Sequence, residues 1–153
     1  MIMAYRYPYD EEEKAYVPPK LQTDRSVWKL IIFSILTLGI YSIVFFIPFS
    51  FELDKIAPKP DRSKTMNFLF VYILSIFTFS IAMQCWHYQI AQRVEEALEK
   101  RDIRYNFGTN DFWVLQIFGS LFLGIGSIVY LHKLCHAMNL LCADYNEKPY
   151  VVE

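Results

Sequence analysis

The sequence predicts an all-α integral membrane protein, and three observations support this prediction. Apolar residues make up 54% of the 153 residues, and aromatic residues make up 18%. Charged residues account for 20%, but they are gathered in a few stretches and leave long intervals without any charge. The same apolar pattern also occurs three times along the chain. Such segregation is typical of a protein whose surface is apolar in the hydrocarbon of a bilayer and polar outside it.

Three charge-free runs provide the candidate membrane spans. They cover residues 30–51, 65–92 and 112–132. About 20 residues at 1.5 Å each cross the roughly 30 Å of hydrocarbon as a helix. A helix at the surface of a soluble core would show a polar face every three or four residues, and these runs do not. We therefore expect the runs to lie in a membrane.

The three runs are copies of one motif. A shift of 85 positions places Trp28 on Trp113, and a shift of 41 positions places Thr37 on Thr78. Apolar composition alone would not align tryptophan, serine, threonine and glycine positions in this way. Because an internal repeat decides the architecture of a chain, we predict three repeated apolar helical segments in one domain.

The repeat also sets the predicted domain limits. They are a Tyr-rich polar tail over 1–20, a single membrane domain over 21–146 with copies at about 23–60, 61–104 and 108–146, and a C-terminal tail over 147–153. Each copy opens with Ser, Thr, Asp or Asn residues, which cap the N-termini of helices. Each copy continues into a charged amphipathic helix, which we expect to be interfacial or to pack against a neighbouring helix.

A small residue interrupts each apolar run, at Gly39, Ser80 and Gly124. The helix is predicted to break or kink there, so each copy either spans the membrane once or turns back as a hairpin. The hairpin is slightly favoured, because identical copies then keep one orientation. A first arm of about 11 residues would reach only halfway through the hydrocarbon. Its turn would need shielding by protein, because lipid leaves backbone polar groups unsatisfied.

Two further sets of residues have predicted roles in the membrane. Small residues four positions apart let helices approach closely in lipid, and the third copy offers Ser120, Gly124 and Gly126. Aromatic side chains favour the membrane interface. The residues predicted at that interface are Trp28, Trp86, His87 and Trp113.

Several motifs together resemble one bacterial membrane-protein family. They are Thr37-Leu38-Gly39-Ile40-Tyr41, Lys64-Thr65-Met66-Asn67 and Ala137-Met138-Asn139-Leu140. The family is catalogued as domain of unknown function 4234, and the resemblance covers roughly residues 21–146. Its most specific element, Thr-x-Gly-Ile-Tyr, is whole only in the first copy. The resemblance implies an integral protein of the bacterial cytoplasmic membrane, and it implies no reaction.

The sequence offers one weak candidate for a metal site. His132, Cys135 and His136 would share one face of a helix, and imidazole with thiolate suits zinc. This spacing is common by chance, and no carboxylate stands beside it. Neither a phosphate-binding glycine loop nor a nucleophile with its base is visible. We therefore predict no metal, no cofactor and no enzymatic activity.

The preferred function is a non-enzymatic membrane protein that acts through assembly, as a scaffold or as an accessory subunit of a membrane complex. The expected partners are the lipid bilayer and either further copies of the chain or another membrane protein. A net charge of −1 provides no basic field for nucleic acid. The alternative is a small oligomeric pore or transport element, since transporters also use repeats with broken apolar segments.

Overall fold

The computed structural model describes residues 20–57, 65–78, 80–121 and 124–148, which form three helical hairpins. Hairpin 1 pairs α1 (Val27–Leu36) with α2 (Ile40–Ile56), and hairpin 2 pairs α3 (Phe68–Phe77) with α4 (Ile81–Lys100). Hairpin 3 pairs α5 with α6 (Ile125–Glu147). Helix α5 is an α-turn over Thr109–Asp111, a π-helix over Phe112–Phe118 and a 3₁₀ turn over Gly119–Leu121. We call α1, α3 and α5 the short arms, and α2, α4 and α6 the long arms.

Each hairpin turns at the small residue that interrupts its apolar run. Gly39, Ser80 and Gly124 have φ angles of 92°, 68° and 75°. This left-handed backbone is open to glycine and strained for other residues, so two of the three turns use glycine. Helix α1 ends because the amide of Gly39 turns back to donate to the Ser34 carbonyl at 2.7 Å. The chain then reverses and begins the long arm.

The three long arms are parallel. Near their beginnings, the ring of His87 in α4 lies 5.6 Å from that of Phe46 in α2 and 5.8 Å from that of Tyr130 in α6. Near their ends, Arg101 of α4 donates to a backbone carbonyl of α2 at 3.2 Å and pairs with Asp144 of α6 at 2.6 Å. Contacts therefore advance together along all three long arms, and all three turns lie at the same end of the molecule.

The same shifts of 41 and 85 positions relate the residues that fill the centre. Within each long arm, three side chains spaced by three or four positions are at most 1% exposed. They are Phe49, Leu53 and Ile56 in α2, Ile90, Val94 and Ala97 in α4, and Leu134, Met138 and Leu141 in α6. This spacing forms one apolar stripe on a helix. The far parts of the long arms therefore pack stripe against stripe, and we call residues 46–56, 86–100 and 130–147 the core layer.

A ring of side-chain contacts joins each copy to the next. Asp54 at the end of hairpin 1 accepts from the amide of Thr65, which leads into hairpin 2, at 2.9 Å. Glu95 of hairpin 2 accepts from the amide of Thr109, which leads into hairpin 3, at 3.0 Å. Asn139 of hairpin 3 makes the corresponding bond to the segment before α1. The three polar residues stand at equivalent repeat positions, so the ring closes from the last copy to the first.

The predicted all-helical fold class is correct over the described residues. The prediction of an integral membrane protein is wrong. None of the helices in the described part of the chain combines the length and the apolar composition needed to cross a membrane. The physical reason is the turn: each charge-free run is divided between a short arm of about ten residues and a long arm that soon becomes charged. The predicted location in the bacterial cytoplasmic membrane and the predicted transmembrane helices are wrong for the same reason.

The predicted interfacial helices are also placed differently. The charged tail of the second copy is the far part of α4, and its inward side chains Val94, Ala97 and Leu98 are buried against the other long arms. It therefore packs against neighbouring helices and not along a surface. The predicted tails over 1–20 and 147–153 lie almost wholly outside the described residues.

Candidate functional site

The arm layer consists of the short arms with residues 40–45, 81–85 and 125–129 of the long arms, and it presents apolar side chains to its surroundings. At the turns, Leu38 is 95% exposed, Leu121 80% and Phe77 77%. The other exposed apolar residues of the turns are Ile35, Leu36, Ile40, Ile76, Ile81 and Ile125. We call these nine the tip residues. A contiguous apolar surface of this kind marks a binding site for a partner or a lipid phase.

The height of the arm layer follows from the length of its helices. Helices α1 and α3 each contain 10 residues. At 1.5 Å per residue, each short arm is about 15 Å long. The exposed apolar zone is therefore about half as deep as the hydrocarbon of a bilayer.

Charged and amphipathic side chains mark the base of the arm layer. Lys29 pairs with Asp24 at 3.6 Å, and Lys133 pairs with Asp111. The tryptophan side chains at the base of α1 and α5, Trp28 and Trp113, are 64% and 51% exposed. Beyond this base, the charge-free runs begin. The surface thus changes from charged to uncharged and mainly apolar over about one helical turn.

In the turns of hairpins 1 and 2, a threonine hydroxyl pairs with two backbone groups. The hydroxyl of Thr37 donates to the Phe33 carbonyl at 2.7 Å and accepts from the Tyr41 amide at 2.9 Å. The hydroxyl of Thr78 makes the same pair of bonds, donating at 3.0 Å and accepting from the Ala82 amide at 3.2 Å. One hydroxyl therefore links the last turn of the short arm to the first turn of the long arm. These groups need no hydrogen-bond partner from the surroundings.

The repeat aligns Thr37 with Thr78, but the alignment alone did not predict this role. The signal was present in the spacing, because each threonine stands two residues before the small residue of the turn. A hydroxyl at that position can reach the amide four residues ahead as well as the carbonyl four residues behind. The third turn includes residues 122 and 123, which lie outside the described residues.

An aromatic cluster lies at the boundary between the arm layer and the core layer. The ring of Trp86 lies 4.9 Å from that of Phe68 and 5.9 Å from that of Phe46, and its Nε1 donates to the Met66 carbonyl at 2.9 Å. His87 beside it is buried, and burial lowers its pKa to about 4, so the ring is neutral near pH 7. Its Nδ1 has no hydrogen-bond partner among the described residues.

The polar groups of the core layer bind one another. Arg25 pairs with Glu52, and the thiol of Cys142 donates to the same carboxylate at 3.5 Å. Arg93 pairs with Asp54 at 2.8 Å. Burial raises the pKa of Cys142 to about 12, so this cysteine is a thiol and not a nucleophilic thiolate at neutral pH. These contacts hold helices together and do not expose reactive groups.

The structure separates the four residues predicted at a membrane interface into two pairs. Trp28 and Trp113 are exposed at the base of the arm layer, at 64% and 51%. Trp86 and His87 lie in the interior. The difference arises because α4 turns this face towards α2 and α6, a relationship that the amino-acid types do not reveal.

The weak metal candidates do not converge. Cys135 is buried in the core layer, whereas His132 and His136 are exposed on the outside of α6. Burial raises the pKa of Cys135 to about 12, and the ring of His136 packs against Tyr105 at 4.9 Å. Over the part of the chain that the structure describes, no three His, Cys, Asp or Glu side chains are grouped as metal ligands would be.

The residues predicted for close packing have distinct positions. Ser120 is exposed, and a Cβ added at Gly124 would meet nothing within 4 Å, so neither residue makes a close helix contact. The tight approach joins Gly119 and Gly126, where an added Cβ on Gly126 would lie 2.4 Å from the Gly119 Cα. Two glycines on facing arms allow α5 and α6 to touch backbone to backbone.

The comparisons with known proteins identify a family for part of the chain. Residues 25–96 match the family described as domain of unknown function (DUF4234). The predicted resemblance to this family is confirmed over these residues, which are fewer than the predicted 21–146. The DUF4234 match covers hairpin 1 and most of hairpin 2, including the Thr-x-Gly-Ile-Tyr turn. The search of curated proteins and the search of solved structures give no match. The family description assigns no activity, so the function must be argued from the geometry.

Proposed function

We propose that the protein docks on one face of a lipid bilayer through its arm layer, without crossing the bilayer, and acts there by binding and not by catalysis. The observation that carries the proposal is the common direction of the three hairpins. Their tip residues, with Leu38, Phe77 and Leu121 the most exposed, project from one end of the molecule. The charged residues are gathered at the base and in the core layer.

The depth of the apolar zone supports a lipid partner. Short arms of about 15 Å match one leaflet of a hydrocarbon layer that is about 30 Å thick. A protein partner would be expected to cover a patch on one side of the hairpins. Here, exposed apolar residues occur on both arms of each hairpin, as Ile32 and Val44 of hairpin 1 illustrate. Surroundings that are apolar in every direction match this distribution better than a single protein surface.

Charge complementarity supports the same partner. The arm layer beyond its base carries no charge, which suits hydrocarbon. At the base, the ion pairs Asp24–Lys29 and Lys133–Asp111 bring opposite charges together, as zwitterionic headgroups do. The exposed rings of Trp28 and Trp113 lie at the same level, and tryptophan favours the headgroup region. We therefore expect phosphatidylcholine to be sufficient for docking.

The hydrogen bonding of the turns removes an objection to this arrangement. A chain reversal in hydrocarbon is costly where backbone groups lack partners. Thr37 and Thr78 supply those partners within hairpins 1 and 2. The four backbone groups that these hydroxyls engage therefore need no shielding by other protein.

The proposal is tested by flotation of the full chain with phosphatidylcholine vesicles. We expect the wild-type protein to float, and we expect Phe77→Ser to bind at least about tenfold more weakly, because burial of one large apolar side chain contributes about 1.5–3 kcal/mol. Phe51→Ser is the matched control: Phe51 is 52% exposed, but it lies in the core layer, about 16 Å along α2 from the turn. It should float like the wild type.

A second measurement distinguishes docking from non-specific adsorption. Single-tryptophan variants in phosphatidylcholine with brominated acyl chains should show strong quenching of Trp28 and Trp113 and weak quenching of the buried Trp86. Failure of the wild type to float, or equal quenching at all three positions, would contradict docking through the arm layer.

A further inference from the structure

We infer that docking selects strongly curved or loosely packed bilayers over flat, tightly packed ones. This inference rests on the proposed function and adds a preference among membranes. Three features of the arm layer support it. The arm layer enters only one leaflet, its tips form a wide surface, and the described lysines at its base are paired.

The short arms are deep enough to enter one leaflet of the bilayer and not the other. Six helical arms, two from each hairpin, lie side by side at the end of the molecule that carries the turns. Each helix is about 10–12 Å wide with its side chains. Arms of about 15 Å would add this cross-section to one leaflet and none to the other. Insertion therefore expands one leaflet selectively, which is less costly where that leaflet is already stretched on the outside of a curved vesicle.

The tip residues need a wide opening between the lipid headgroups. Leu38, Phe77 and Leu121 are large and stand at the very ends of the hairpins, where they meet the headgroup region first. A single helix lying flat can occupy one narrow gap between headgroups, whereas three hairpins require a wide opening. The free energy of making that opening depends on lateral lipid packing, and gaps are more frequent in curved or unsaturated bilayers.

Charge attraction to lipid is weak at the described part of the base. Lys29 and Lys133 are both engaged by carboxylates of the same chain. Attraction of these two lysines to anionic lipid is therefore reduced, and we expect apolar burial to dominate binding. Proteins that bind through apolar insertion with little charge attraction respond to lipid packing more than to headgroup charge.

The test compares the full-length protein on palmitoyl-oleoyl phosphatidylcholine vesicles of about 30 nm and about 400 nm diameter, at equal accessible lipid. Binding is measured by flotation. We expect at least about fivefold stronger partitioning onto the small vesicles. Phe51→Ser should keep this ratio, and Phe77→Ser should bind more weakly to both sizes. In a third arm of the experiment, about one third of anionic lipid in the large vesicles should change binding less than curvature does.

The possible outcomes separate this inference from the proposed function. Equal partitioning onto both sizes would overturn the curvature preference and leave docking intact. A larger response to anionic lipid than to curvature would overturn it as well. Absence of binding to either size would contradict docking itself.

Discussion

Asn139 in α6 binds both backbone polar groups of Arg25, a residue 114 positions earlier in the chain. The Arg25 amide donates to the Asn139 side-chain oxygen at 3.0 Å, and the Asn139 side-chain nitrogen donates to the Arg25 carbonyl at 2.9 Å. Asp54 and Glu95, at the equivalent repeat positions, accept from the amide and the hydroxyl of Thr65 and of Thr109. Only the third position must reach back to the first copy, so Asn139 joins the two ends of the described chain.

We predict that Asn139→Ala destabilises the fold by about 2–4 kcal/mol, because two backbone groups lose their partners and each unsatisfied buried group costs about 1–3 kcal/mol. Asn139→Asp should have an intermediate effect, since a carboxylate still accepts from the Arg25 amide but cannot donate to its carbonyl. The exposed Asn106 provides the control Asn106→Ala. Urea unfolding in a nonionic detergent, followed by circular dichroism, measures all three. An effect of Asn139→Ala no larger than the control would refute closure of the ring at this position.

The helical class and the small residues at the turns could be read from the sequence, and the crossing of a membrane was inferred wrongly. The length of a charge-free run indicates whether it can span a membrane only if the whole run forms one helix. At Gly39 a positive φ reverses the chain, and the following Ile40 begins a second helix beside the first. Sequence composition is the same in both arrangements, so only the backbone of the turn, where Leu38 and Gly39 both have positive φ, distinguishes them.

Burial could not be predicted in the arm layer for a related reason. Phe68 and Phe77 are the same residue type in the apolar helix α3, yet the first is 2% exposed and the second is 77% exposed. Helices that are apolar on all sides carry no periodic signal that identifies the inward face. In the core layer, polar residues return and the stripe through Ile90, Val94 and Ala97 becomes visible.

The turn of hairpin 2 should be improved by glycine. Ser80 has a φ of 68°, in the region where the equivalent Gly39 and Gly124 lie. Ser80→Gly removes the clash of a Cβ in left-handed backbone and should stabilise the protein by about 1 kcal/mol. Gly39→Ala should destabilise it by about 1–2 kcal/mol through backbone strain alone, since an added Cβ would meet nothing within 4 Å. Thermal unfolding in detergent measures both, and equal signs for the two substitutions would contradict the assignment.

The contact between α5 and α6 should be the least tolerant of added volume. A Cβ on Gly126 would lie 2.4 Å from the Gly119 Cα and 2.4 Å from the Leu115 carbonyl oxygen. Both are backbone atoms, so relief requires the arms to separate. Gly126→Ala should therefore destabilise the protein by about 3 kcal/mol and should increase protease cleavage in hairpin 3. Ser120→Ala, on the exposed side of the facing arm α5, should leave both measurements unchanged. Normal stability of Gly126→Ala would exclude the backbone contact.

The stability of the protein should fall in mild acid because of His87. Burial lowers its pKa from 6.5 to about 4, so the folded protein resists protonation while the unfolded chain accepts a proton near pH 6.5. The contribution of His87 is therefore fully present above pH 6.5 and is lost as the pH falls towards 4, at roughly 1.4 kcal/mol per pH unit.

His87→Phe should remove this loss, since it keeps the ring contacts with Phe46 and Tyr130 and eliminates the unpartnered Nδ1. Unfolding free energies of the two proteins, measured in detergent between pH 7 and pH 4, should diverge as the pH falls, with the variant the more stable in acid. The exposed His132 provides the control His132→Phe, which should follow the wild-type curve. Parallel curves for His87→Phe and wild type would show that His87 does not remain neutral within the aromatic cluster.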